Sequence, residues 1–267
     1  MRPVFIPAYI LKHLRTDHSD MSEIIQMKER IERLDNGQPP LVSIVIPAYN
    51  EQNNILRTLS SLSYTETSYP VEIIIVDNNS TDDTRMYVKK SGARYVFEAE
   101  KGVKNARTAG LKAARGTYII SGDADTVYPP YWVDMLVTPL MRHHHIACVH
   151  GKFSFIPEDG YTRASFFLYE IIGDCYKWLN SLFKDPAMYV YGCSSAFRKS
   201  QALEVGAYDH PAGANEDGYL GLKLRNKFGK LAQVSQKKSL AWTSSRKFVA
   251  EGTLVNRILK KTQRMFN

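Results

Sequence analysis

Leu41-Val42-Ser43-Ile44-Val45-Ile46-Pro47-Ala48-Tyr49-Asn50-Glu51 is the stretch from which the fold can be read. Its first six residues form a near-continuous apolar run, rich in β-branched side chains and stopped by Pro47. A half-buried strand alternates apolar and polar residues, whereas a run without alternation is buried on both faces. The same pattern returns at residues 71–76 and, in shorter form, at residues 95–97 and 117–121. Between these runs lie helical patterns. Residues 51–62 space Ile55, Leu56, Leu59 and Leu62 along one face, another helix begins near Asp82, and residues 103–114 are Ala-rich. Doubly buried strands alternating with helices predict an α/β fold: a single Rossmann-like domain with a mostly parallel central sheet flanked by helices.

Upstream, residues 21–34 carry Ile24, Ile25, Met27, Ile31 and Leu34 among charges, which is helical spacing, and Asn36-Gly37-Gln38-Pro39-Pro40 then breaks the chain. Residues 1–40 are expected to form an N-terminal helical arm packed on a domain of residues 41–267. Downstream, residues 131–141, 163–183 and 215–228 read as helices, and residues 188–191 and 239–242 as strands. With 267 residues, 44% of them hydrophobic, the chain can bury a large core without staples. Cys148, Cys175 and Cys193 are too few and too scattered for a disulfide framework and read as buried free thiols in a reducing compartment. The first fifteen residues lack a long apolar core or a cleavage site. Residues 165–183, the nearest approach to a membrane span, are interrupted by Glu170, Asp174 and Lys177. These features predict a cytoplasmic protein, with a peripheral place on the inner face of the membrane as a second expectation. The net charge of +8 suits anionic partners, an anionic membrane surface among them. Zinc-finger spacing, an aromatic RNA-binding signature and an arginine-rich arm are all missing, so nucleic acid is not expected.

In an open parallel sheet, ligands bind beyond the carboxyl ends of the strands. The first strand leads into Pro47-Ala48-Tyr49-Asn50-Glu51, the second into Asp77-Asn78-Asn79-Ser80-Thr81-Asp82-Asp83, and the fourth into Gly122-Asp123-Ala124-Asp125. One acidic turn is explained by the turn and cap preferences of Asp and Ser. Three on one sheet edge favour a shared ligand site. The glycine cradle of a dinucleotide site is missing after the first strand, and no Walker motif is present. A nucleotide here must be held by carboxylates, a metal and basic residues. Asp123 and Asp125, one residue apart past a strand, can offer oxygens to Mn²⁺ or Mg²⁺ shared with substrate phosphates.

Farther on, Glu216 and Asp217 stand in a turn leading into a helix, where acidic residues also suit the helix dipole. Ser244-Ser245-Arg246-Lys247 follows the last apparent strand and reads either as a lid over a diphosphate or as a basic surface tail. His143-His144-His145 reads as a solvated cluster, because consecutive side chains diverge on a helix. Residues 163–183 are aromatic and amphipathic: a core helix, an acceptor groove or a membrane-facing surface.

Several of these segments, in this order, resemble glycosyltransferase family 2. Residues 42–51 resemble its opening strand, and residues 74–82 its second strand and nucleotide turn. Lys101-Gly102-Val103 through Gly110 resembles its central helix, and Asp123-Ala124-Asp125 its metal motif. Tyr191-Gly192 through Arg198 and residues 205–209 resemble its acceptor-side segments, and Asn215-Glu216-Asp217 its catalytic pair. The resemblance spans about residues 41 to 230. It implies an inverting transferase with a nucleotide-diphosphate sugar donor, UDP- or GDP-linked, a divalent metal (Mn²⁺ or Mg²⁺), and a saccharide or lipid-linked acceptor hydroxyl. By the same resemblance Pro47, Tyr49, Glu51 and Asp77 line the base and ribose. Arg107 lies near the nucleotide or diphosphate, with Thr108 where the family often has Asn. Asp123 holds ribose or metal, Asp125 holds the metal, Asp217 is the general base with Glu216 beside it, and Arg246 belongs to the lid reading. A sugar-nucleotide pyrophosphorylase of related fold and a catalytically silent nucleotide-sugar module are the alternatives. The first would carry a Gly-rich basic signature in place of residues 47–51, and the second would bind donor without turnover.

Overall fold

The computed structural model describes residues 2–15, 20–158, 160–180 and 185–246. Two helices come first, α1 (Ala8–Leu14) and α2 (Met21–Glu32), the second capped by the Asp20 side chain, which accepts from the Ser22 and Glu23 amides. An alternating series follows: β1 (Val42–Ala48), α3 (Ile55–Ser63), β2 (Val71–Asp77), α4 (Thr84–Lys90), β3 (Arg94–Phe97), α5 (Val103–Ala113) and β4 (Tyr118–Ser121). Then come β5 (Thr126–Val127), α6 (Trp132–Arg142), β6 (Ile146–Gly151), β7 (Phe153–Ile156) and α7 (Arg163–Asn180). The last described elements are β8 (Ser195–Arg198), α8 (Lys199–Glu204), α9 (Glu216–Phe228), β9 (Lys230–Val234) and β10 (Ala241–Ser244).

Seven strands form the main sheet in the order β3-β2-β1-β4-β8-β6-β9. β1 to β4 pair in parallel, β8 runs antiparallel to both β4 and β6, and β9 is parallel to β6. The sheet is therefore mostly parallel, as the apolar runs predict. A small second sheet, β5-β10-β7, stands beside it. The pleat of β1 explains its unbroken apolar run. Val42, Ile44, Ile46 and Ala48 face a core shared with α2, α3 and α6, while Val45 faces the opposite core with α5 and α9. Each buried Val or Ile side chain among them contributes about 1.5–3 kcal/mol relative to exposure. The arm packs into this arrangement: Ile24, Met27 and Ile31 of α2 join the core of α3.

Several expectations need correction. Pro47 does not stop β1, which runs on to Ala48. Pairing with β4 ends at Val45–Ser121, so the missing N–H of Pro47 interrupts no bond on that side. Residues 188–191 were expected as a strand, but a 3₁₀ turn occupies Pro186–Tyr189, started by a proline and capped by Asp185, which accepts from the Ala187 amide. The last strand lies two residues later than residues 239–242, at Ala241–Ser244. Cys148 and Cys193 are buried, but Cys175 is exposed on the outer face of α7. The expected helix of residues 163–183 ends at Asn180, and residues 181–184 lie outside the described residues, as does everything expected of residues 247–267. Among the described residues no helix is long and apolar enough to cross a membrane.

Candidate active site

The carboxyl ends of β1, β2 and β4 open onto a cleft of about 1010 Å³. Local turns hold its floor. Asn50 adopts a left-handed backbone (φ 53°), which asparagine tolerates, and its side chain accepts from the Thr81 amide at 2.8 Å. The Glu51 amide donates to Thr84 Oγ1 at 2.7 Å and the Gln52 amide to Asp82 at 3.1 Å. The β1 and β2 loops are thereby latched together. Pro47, Tyr49 and Glu51 all line the cleft. Asp77 does not. Its carboxylate accepts from Tyr95 Oη at 2.8 Å and from the Ser80 amide at 3.0 Å, behind the wall. Its neighbour Asn78 lines the cleft instead, donating to the Glu98 and Glu100 carbonyls and accepting from the Gly102 amide.

Asp123 and Asp125 follow β4, and both face the cleft. The Asp123 amide donates to Tyr128 Oη at 2.7 Å, fixing the turn. Asp125 lies 3.6 Å from Arg246 Nη2, and the same guanidinium donates to Glu51. Arg246 thus ties the β10 end to the β1 end across the cleft. Lys247, its expected companion, lies outside the described residues.

Arg107 joins the carboxylate that follows β4 to the two at the start of α9. It projects from α5, only 3% exposed, and donates to Asp123 Oδ1 at 2.8 Å and to Ser121 Oγ. It also lies 3.6 Å from Asp217 and 4.0 Å from Glu216. These two acidic residues occupy the first turn of α9, whose N-cap, Asn215, accepts from the Asp217 amide. Asp217 is 6% exposed, and its Oδ1 has no hydrogen-bond partner; neither has Arg107 Nε. Burial raises the Asp217 carboxyl to about 7 against the pull of Arg107, with Asp123 and Glu216 adding repulsion. Burial works against the Arg107 charge, but Asp217 and Asp123 outweigh it and raise its pKa further. A buried acid poised near neutrality, with one oxygen that accepts no hydrogen bond and lies 3.6 Å from Arg107, can take a proton from a bound hydroxyl.

Gly192 makes this packing feasible, since a Cβ there would sit 2.0 Å from Arg107 Nη2 and 2.3 Å from Asp217 Oδ2. Phe153 and Phe155 of β7 line the far wall and escaped notice in the sequence. The alternation Phe153-Ser154-Phe155-Ile156 was the signal that could have found them. The donor set fits a cation shared with phosphates. Two carboxylates face one space, while no group of three His, Cys, Asp or Glu among the described residues could hold a metal by itself.

Comparison with known proteins adds the following. Residues 43–205 match the family model described as Glycosyl transferase family 2. The chain is 30% identical to the chondroitin synthase of Escherichia coli over 156 residues, 57% of this chain and 21% of that protein. It is 31% identical to the probable glycosyltransferase YdaM of Bacillus subtilis (strain 168) over 204 residues, 70% of this chain and 47% of that protein. It therefore spans under half the length of either relative. Among solved structures, glucosyl-3-phosphoglycerate synthase from Mycobacterium tuberculosis, in complex with Mn²⁺, UDP-glucose and phosphoglyceric acid, superposes with a TM-score of 0.56. That match is 21% identical, covers 89% of this chain and 83% of the other, and speaks to the fold alone.

Proposed function

The chain belongs to glycosyl transferase family 2, and on that premise we propose that it passes a sugar from a UDP- or GDP-linked donor to an acceptor hydroxyl with inversion. The carrying observation is the meeting of Asp123, Glu216 and Asp217 on buried Arg107. Pro47, Tyr49 and Glu51 hold the base and ribose, over a loop shaped by Asp77. Asp125 and Asp123 hold Mn²⁺ or Mg²⁺, in keeping with the Mn²⁺ and UDP-glucose named in the mycobacterial structure. When bound, that cation supplies positive charge beside the departing diphosphate. Arg107 and Arg246 add fixed charge on either side.

Asp217 takes the proton from the acceptor hydroxyl as its oxygen bonds to the anomeric carbon. The bond from that carbon to the donor diphosphate breaks, and its electron pair leaves with the diphosphate. A single displacement of this kind inverts the anomeric centre. Glu216 orients the acceptor or the loop. The acceptor is a saccharide or a lipid-linked glycan. An anionic membrane surface is a further partner, supported by the +8 charge and by Leu168, Ile171 and Leu179, which α7 turns outward.

Calorimetric titration of UDP and GDP tests the donor site. Asp125→Ala should weaken nucleotide binding in Mn²⁺, with the difference vanishing in chelator. Equal affinity of both proteins in Mn²⁺ would sink the metal assignment.

A further inference from the structure

Phe153 and Tyr191 line the cleft on one side and a second cavity, of about 420 Å³, on the other. Their rings meet edge to face at 5.3 Å, so the two spaces share one aromatic wall. The second cavity has a distinct chemistry. Arg2, Lys152 and Lys177 line it against a single carboxylate, Asp174. That carboxylate already accepts from Arg2 at 3.0 Å through each oxygen and from Lys152 at 3.0 Å. The lining therefore keeps a positive excess, which a concave site focuses on its ligand.

Two further groups speak for a sugar over a bare anion. His150, from β6, is 6% exposed and lines the cavity, yet its Nδ1 has no hydrogen-bond partner. A buried ring nitrogen without a partner is destabilising, and a ligand hydroxyl brought within its reach would serve as donor or acceptor. Burial, then Lys177, lowers its pKa to about 4, so the ring is neutral at physiological pH and suits a neutral hydroxyl. Trp178, 67% exposed, offers a flat apolar face at the rim, and Lys177 Nζ stands 4.6 Å from the Tyr191 ring centre. Aromatic faces, a hydroxyl-seeking imidazole and surplus cations together match a negatively charged pyranose.

We propose that this cavity is an acceptor subsite for an anionic sugar unit, carboxylated or phosphorylated, adjoining the unit that receives the new sugar. The proposal rests on the transferase reading above. It predicts an acceptor of at least two units, one carrying the charge, threaded past Phe153 and Tyr191.

The test uses the full chain, without nucleotide and with chelator present. Isothermal titration calorimetry would measure binding of methyl β-glucuronide, glucose 6-phosphate, methyl β-glucoside and inorganic phosphate. At least one charged sugar should bind tenfold or more tightly than the neutral glucoside and than inorganic phosphate, and the tighter of the two charged sugars identifies the anion. Lys177→Met should weaken that binding tenfold or more, Lys177→Arg should restore most of it, and Trp178→Ala should weaken it several-fold. Equal binding of neutral and charged sugars overturns the proposal. So does binding of inorganic phosphate as tight as that of the tighter charged sugar, or charged-sugar binding that survives both Lys177→Met and Trp178→Ala. Failure of Mn²⁺-dependent nucleotide binding by the unaltered chain would strike the donor reading alone, because these measurements contain neither nucleotide nor free metal.

Discussion

Asp217→Asn should separate catalysis from stability, because the ionised side chain serves the first and opposes the second. The variant keeps the shape and removes the basicity. Transfer at saturating donor should fall roughly 10²–10⁴-fold, the usual worth of general acid–base help. Stability should move the other way with pH. Asp217 is raised from 3.8 to about 7, chiefly by burial. A raised carboxyl contributes fully below its unfolded value, loses that contribution as pH climbs towards the folded value, and stays flat above it. At about 1.36 kcal/mol per pH unit, the loss from pH 4 to pH 7 approaches about 4 kcal/mol. Asparagine cannot ionise, so its chain lacks this slope. The constant offset between the two proteins is set partly by Arg107, which keeps Asp123 at 2.8 Å. The slope is independent of that offset. Urea unfolding at half-unit steps from pH 4 to pH 8 would measure it. If the two stability curves run parallel, Asp217 is not the raised acid. If the variant transfers sugar at near wild-type rate, Asp217 is not the base.

The free enzyme should show kcat/KM rising with pH and levelling above about 7, since Asp217 must be ionised to accept a proton; a profile flat from pH 5 to pH 8 contradicts that. Gly192→Ala should cut transfer at least tenfold and destabilise by about 1–3 kcal/mol in urea, because the added Cβ would press on Arg107 and Asp217 at 2.0 and 2.3 Å; wild-type kcat would show that the pair tolerates displacement. Gly110→Ala should destabilise by about 1–3 kcal/mol through overpacking, since its Cβ would lie 2.3 Å from Val45 Cγ1 and 2.8 Å from Val76 Cγ2. Circular dichroism melts would read that loss, and an unchanged midpoint would mean that α5 can lift from the sheet.

In the first half β1, β2 and β4 were legible because they are buried on both faces, and such strands announce themselves as unbroken apolar runs. In the second half the helices Trp132–Arg142, Arg163–Asn180 and Glu216–Phe228 were legible, and most of the strands were not. Ser195–Arg198 is four residues long and mixed in character, and its place between β4 and β6 is set by pairing partners far away in the chain. Phe153–Ile156 hides for the same reason. Asp77 and Asn78 show a finer limit. Successive residues of a strand point to opposite faces, so a strand end names two adjacent candidates, and only the twist of the neighbouring loop decides between them. Glu216 and Asp217 were readable as helix-start charges or as catalytic groups. The structure places them in the first turn of α9 and, at the same time, beside Arg107.

The antiparallel strand β8 bears on how the chain is made at the ribosome. It fills the gap between β4 and β6, both of which leave the exit tunnel first. Until residue 198 emerges, each presents an open edge that can pair with another nascent chain. Tyr191, Gly192 and Asp217 emerge late as well, so the donor loops can settle before the acid that completes the cleft exists. Fragments that stop before β8 should therefore clump, whereas a cut after residue 205, where the family match ends, leaves the main sheet lacking only β9. Anyone dividing this protein into complementing halves should cut there.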